Sequence, residues 1–183
     1  MTARRQRISH GCLGLTLIEL MVTIAVVAIL AAMAAPSFTS LLGSYRVDAA
    51  AQELKTSLDL ARSEAIKIGP VNPDPDAHVT EVCPSANGTS CTSNSTNWAP
   101  GWLIWSDADG SSGMSASEII QVAGAANSSL TFTSSAASTV KFKSLGQIKD
   151  TAPNFTISHA ASSTTRYVCL SASGSSKVQS NSC

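Results

Sequence analysis

The 183 residues predict an α+β fold, a long N-terminal helix packed on a C-terminal antiparallel β-sheet domain. Three observations carry that expectation. From Leu15 to Pro36 the chain is apolar almost throughout. From Val47 to Ile68 apolar residues recur at alternating steps of four and three. Beyond Gly69-Pro70 the period falls to two, in short runs separated by Ser, Gly, Asn and Ala. The longer period belongs to a helix face and the shorter to strands. One half-buried helix against antiparallel strands is an α+β layer arrangement.

The first element is the apolar run. A bilayer span takes about 20 residues, and this run is long enough. Between Leu20 and Pro36 only Thr23 is polar. Arg4, Arg5, Arg7 and His10 precede the run, and no Lys or Arg follows before Arg46. The positive-inside rule then places the N-terminus in the cytoplasm and exports the bulk of the chain. One residue breaks the pattern: Glu19, a carboxylate near the start of the span. Such a group is costly in lipid and marks a functional contact. The competing reading of the segment is an ordinary secretory signal, with Ala32, Ala34 and Ala35 as its small-residue cleavage site. That reading leaves Glu19 unexplained and ignores the helical pattern beyond Ala35. For Glu19 itself, the competing role is a carboxylate that merely reaches the cytoplasmic interface.

The helix continues past the span. Val47, Ala51, Leu54, Leu58, Ala61, Ala65 and Ile68 share one face. Lys55/Asp59 and Glu64/Lys67 stand at supportive spacings on the other. Gly69-Pro70 is a stop. A helix from Leu15 to Ile68 would be roughly 80 Å long at 1.5 Å per residue. Pro36 should kink it, and Gly43 should loosen it.

Val71–Asp76, with two prolines, reads as a loop. Strands are expected at His78–Cys83, Trp102–Ser106, Glu118–Val122, Leu130–Thr133, Thr139–Lys143, Asn154–Ser158 and Arg166–Leu170, with a short last one at Ser176–Gln179. Trp98, Trp102, Trp105, Phe132, Phe142 and Phe155 read as core or loop anchors.

Net charge is zero, but it is segregated. No Lys or Arg occurs between Lys67 and Lys141, where the chain carries Asp74, Asp76, Glu81, Asp107, Asp109 and Glu118. The tail carries Lys141, Lys143, Lys149, Arg166 and Lys177 against Asp150. Solvated faces are the plain explanation, a basic surface for a polyanion is the sharper one, and composition does not demand a nucleic-acid partner.

Cys12 precedes the span. Cys83, Cys91, Cys169 and Cys183 form an even set, which in an exported chain reads as two disulfides. Three pairings are open, and local closure favours Cys83–Cys91 and Cys169–Cys183. Zinc lacks the paired spacing it needs.

Nothing forms a catalytic set. His78 and His159 are isolated, and neither a nucleophile elbow nor a zinc-protease motif occurs. No cofactor or metal is expected. Asp107-Ala108-Asp109-Gly110 matches the opening of a calcium loop but lacks its later ligands, and a tight turn explains it better.

The stretch Gly14-Leu15-Thr16-Leu17-Ile18-Glu19-Leu20, behind its arginines, resembles the signal of type IV prepilins and type II secretion pseudopilins. The resemblance implies cleavage after Gly14 by a prepilin peptidase and methylation of the new N-terminus at Leu15, where the family usually has Phe. It makes Glu19 the contact for a neighbouring subunit's N-terminal amine and Pro36 the helix-kinking proline. Four later stretches resemble the FimT/GspH branch: Ala61-Arg62-Ser63-Glu64-Ala65, the Cys83–Cys91 loop, Trp98 to Asp107, and Val140 to Gly146.

The implied domains are a leader at 1–14, a transmembrane helix half at 15–36, an amphipathic half at 37–69 and a β domain at 70–183. The implied protein is a minor type IV pilin that primes or assembles the pilus with other pilins, with a type II secretion pseudopilin as the alternative. It would sit in the inner membrane with its globular domain periplasmic until assembled. Some FimT-like pilins bind DNA for uptake through a C-terminal Gly-Arg-x-Arg motif. Here the same place reads Gly174-Ser175-Ser176-Lys177, and a DNA site would draw on Lys177 with Lys141, Lys143, Lys149 and Arg166. The Cys169–Cys183 tail resembles the disulfide-bounded loop that pilins use at subunit contacts.

Overall fold

The computed structural model describes residues 16–70, 78–93, 95–111, 113–136, 139–160 and 162–183, without the side chains of 34–37. The leader, the Gly14–Leu15 bond, Cys12, the loop at 71–76 and the expected kink at Pro36 lie outside that description.

The chain divides into two compact units, Met1–Thr39 and Ser40–Cys183. One helix, α1 (Leu17–Ile68), contributes to both. In the first unit every described side chain is exposed, from Leu17 at 76% to Met33 at 74%. Thr23 turns its hydroxyl back onto the Leu20 carbonyl at 2.8 Å, which satisfies it within the helix. Among the described residues no single unbroken helix is long and apolar enough to cross a membrane. Leu17–Met33 and Phe38–Ile68 together qualify by length and composition.

In the second unit α1 behaves as an amphipathic helix. Val47, Ala51, Leu54, Leu58, Ala61 and Ala65 are buried, joined by Ala50 and Ser57. Ile68, expected on the same stripe, is only half-buried. The helix ends where Gly69 takes a left-handed conformation (φ 70°) and returns its N–H to the Ala65 carbonyl.

Eight strands follow: β1 (Thr80–Pro84), β2 (Trp102–Ser106), β3 (Ile119–Ala123), β4 (Leu130–Ser134), β5 (Val140–Phe142), β6 (Asn154–His159), β7 (Thr165–Leu170) and β8 (Ser176–Gln179). They form two four-stranded sheets, ordered β3-β2-β1-β5 and β4-β6-β7-β8, and every named pairing is antiparallel. The strand positions follow the alternation in the sequence. The division into two sheets does not, because alternation shows which face of a strand is apolar and not which strand lies beside it.

One core joins the α1 stripe to the inner faces of both sheets. One aromatic contact bridges the sheets, Trp102 on β2 against Phe132 on β4 at 5.8 Å, and Trp98 in the loop before β2 meets Phe155 on β6 edge-on at 4.8 Å. β2 is buried along its whole length. Its outward residues Leu103 and Trp105 join Cys83 in a second cluster, with Cys91, Met114 and Ile119 packed around it. The Cys83–Cys91 disulfide anchors the loop over this outer face. Within that loop the Asn87 side-chain oxygen accepts the backbone N–H groups of Thr89 and Ser90.

Candidate assembly helix and interaction surfaces

At the start of α1, the Thr16 hydroxyl accepts the Glu19 backbone N–H at 3.3 Å, and the Leu20 N–H bonds to the Thr16 carbonyl. Thr16 therefore caps the helix, with Glu19 at the third position. Thr-x-x-Glu is the pattern of a capping box, and the sequence reading passed over it. A carboxylate in the first turn also faces the positive end of the helix dipole. So Glu19 has a local reason to be acidic beside any contact with a neighbour. Its side chain is exposed and makes no hydrogen bond or ion pair among the described residues. The apolar residues around it are exposed in the same way. A helix stretch that is apolar apart from Glu19 and Thr23 and exposed on every side has the surface of one that packs on lipid or other helices.

The C-terminal end is closed by Cys169–Cys183, which ties the end of the chain to β7. The β7–β8 turn is held by the Ser171 hydroxyl, which meets those of Ser173 and Ser175 at 2.8 Å. This turn docks on the one after β5. The Ile148 N–H bonds to the Ala172 carbonyl, and Arg62 Nε donates to the Gly146 carbonyl at 3.1 Å. Arg62 is thus a structural tie between α1 and the β5 turn.

The five tail cations do not share one surface. Lys141, Lys143 and Lys149 alternate with the buried Phe142 and Ile148, which places them on the outer face around β5. Lys141 lies 3.8 Å from Glu81 on the neighbouring strand. Arg166 points the other way along β7 and pairs with Asp48 of α1 at 2.6 Å. Lys177 pairs in register with Cys169, so it faces away from the core on the second sheet.

Glu81 is 7% exposed. Burial pushes its carboxyl above the ordinary range. Lys141 and a hydrogen bond from Thr139 oppose the rise, and Asp150 adds to it.

The Asp107–Gly110 turn lies beside Glu118, and carboxylate oxygens of Asp107, Asp109 and Glu118 fall within 4.8 Å of one another. The sequence reading did not bring Glu118 to this turn, because it comes from the far end of the loop. Glu118 spends its oxygens on the chain itself, accepting from the Ala108 N–H, the Ser115 N–H and the Ser115 hydroxyl. Asp109 accepts from the Ser111 N–H, and bonds with Ser111 hold its carboxyl below the usual range. These bonds organise a loop. His78 belongs to the same loop, bonded through Nδ1 to the Asp107 carbonyl. His159 packs instead on Gly43, where a β-carbon would come within 3.0 Å of the ring.

Two family models match the chain. The one for type II transport protein GspH covers residues 50–174, from Ala50 on α1 to Gly174 in the β7–β8 turn. The one for the prokaryotic N-terminal methylation motif covers residues 10–35. Searches of curated proteins and of solved structures return no match.

Proposed function

The chain belongs to the GspH family of type II transport proteins, and we propose that it serves as a minor type IV pilin that primes or assembles the filament. It is a minor pilin or pseudopilin, and its family consists of structural components. The observation that carries the finer reading is the contrast along α1. From Val47 on, the helix buries its apolar face in the β unit, while Leu17–Met33, apolar apart from Glu19 and Thr23, is exposed all round. Such a helix is built to leave lipid for a bundle of like helices.

In this reading the prepilin peptidase cuts after Gly14 and Leu15 is methylated. Residues 15–36 hold the subunit in the inner membrane, with residues 37–69 and 70–183 on the periplasmic side. On assembly the Glu19 carboxylate meets the N-terminal amine of a neighbour. A carboxylate and an ammonium in apolar surroundings attract strongly when well placed, and a carboxylate left without its partner is a liability. Glu19→Ala is therefore expected to insert in the membrane and to be poorly incorporated. Normal incorporation of that variant would remove the proposed role.

The pilus reading is tested by the sheared surface fraction of a strain lacking the gene. Loss of pili, restored by the wild-type gene, supports it. Normal pili together with a defect in protein secretion would move the chain to the secretion system.

A further inference from the structure

The two sheets present four edge strands, β3 and β5 in one and β4 and β8 in the other. Three of them are covered or blunted. The turn after β5 closes its open side, where the Lys143 N–H bonds to the Gln147 carbonyl and the Lys149 N–H to the Lys141 carbonyl. The chain around Asn97 closes β4, with the Trp98 N–H on the Phe132 carbonyl and the Ser134 N–H on the Thr96 carbonyl. β8 is four residues long, carries the exposed Lys177 and is tied to Asp59 of α1 through the Ser176 hydroxyl at 2.6 Å. A short strand with a lysine is a poor template for pairing. β3 has none of these protections. It contains no charge and no proline, and among the described residues no backbone hydrogen bond closes the side that faces away from β2.

β3 also displays apolar side chains. Ile120 is 39% and Val122 49% exposed, while Ile119 packs into the outer cluster with Trp105. The register accounts for Ile120. Ile119 pairs with Trp105 and Gln121 with Ile104, so Ile120 is the extra residue of a bulge. Val122 stands opposite Leu103, on the outer face at the rim of the sheet. An extended chain laid along β3 would complete the ladder and cover both side chains. The charge around this edge has one sign. No Lys or Arg occurs between Lys67 and Lys141, and carboxylates of Asp107, Asp109 and Glu118 gather within 4.8 Å of one another in the loop that leads into β3. A second copy's β3 would bring no cation to that end.

We propose that β3 is a docking edge for an extended segment of another protein. The segment has apolar side chains at alternate positions, to meet Ile120 and Val122, and a lysine or arginine at the end that lies beside Asp109. Main-chain hydrogen bonds hold it, and the alternate side chains and the cation select it.

The test uses the purified full chain in detergent and a fluorescein-labelled peptide, Lys-Val-Thr-Val-Thr-Val, followed by fluorescence anisotropy. Saturable binding is expected. The double variant Ile120→Asp with Val122→Asp is expected to weaken it about tenfold, the sum of two lost cross-strand pairs. Both side chains are exposed, and intact disulfides with an unchanged thermal midpoint exclude misfolding. A peptide methylated at every backbone nitrogen keeps the side chains and the charge but cannot donate to the ladder, and it is expected not to bind. A peptide with glutamate in place of lysine is expected to bind several-fold more weakly at low salt, with the difference shrinking as salt is raised. Failure of the parent peptide to bind would overturn the proposal, as would equal binding to the double variant or by the methylated peptide. So would a peptide-free chain that sediments as a dimer and is split by the double variant, because the edge would then belong to a second copy. Binding is read on the purified chain, so the result does not depend on whether that chain enters a pilus.

Discussion

Gly174 lies directly against Gly146. A β-carbon at Gly174 would stand 2.0 Å from the Gly146 carbonyl oxygen, and the same oxygen accepts the Arg62 Nε–H. Gly174 also has φ of 79°, where a side chain is strained. So Gly174, the one residue of the tail that matches the Gly-Arg-x-Arg pattern, has a structural reason to be glycine. Gly174→Ala should lower unfolding stability by about 2 kcal/mol or more, the cost of an overpacked contact with added strain. Denaturant unfolding of the chain measures this, and an unchanged midpoint would refute the close approach.

Arg166 connects β7 to α1 through Asp48. The side chains are 27% and 48% exposed, so solvent screens the pair. Arg166→Ala and Asp48→Ala should each cost about 0.5–1 kcal/mol, and the double variant less than their sum. Full additivity would show that the contact contributes nothing.

Much of this fold is legible in the sequence because its signals are local. The Gly69-Pro70 stop ends α1 where expected, and the last strand spans Ser176–Gln179 as the alternation suggests. What escapes is whatever depends on distant neighbours. Glu81 reads as a solvated acid, but it is buried on a central strand where Trp105 and Lys141 stand in register on either side. Arg166 reads as one of a basic set until α1 supplies Asp48. Trp105 reads only as a core or loop anchor, and with Leu103 it forms a second cluster against Cys83, Cys91, Met114 and Ile119. Thr16 and Glu19 carry a local capping signal of their own, masked in the sequence by the apolar run that begins beside it.

The raised Glu81 carboxyl sets a pH dependence. The folded chain holds this proton more tightly than the unfolded chain does. The resulting stabilisation is full below the ordinary carboxylate value of 4.5 and fades as pH rises through the higher folded value. Near neutral pH the ionised, buried Glu81 is therefore a cost. Glu81→Gln should raise the thermal midpoint at pH 7, with the gain disappearing below pH 4.5. A lower midpoint at pH 7 would show instead that the Lys141 contact dominates.

The Cys83–Cys91 bridge closes a short loop over Trp105. Replacing both cysteines by Ser should cost about 2–3 kcal/mol on chain-entropy grounds. It should also shift tryptophan fluorescence to the red as the outer cluster loosens. Unaltered stability and fluorescence would mean that the hydrogen bonds of Asn87, Ser85 and the Pro84 carbonyl hold the loop without the bridge.

The central claim is that the chain is cut at Gly14 and built into a surface filament. Mass spectrometry of the chain in the sheared surface fraction tests it most directly. The expected result is a chain that begins at an N-methylated Leu15. A chain missing from that fraction, or present there uncut or cut after Ala35, would contradict the account.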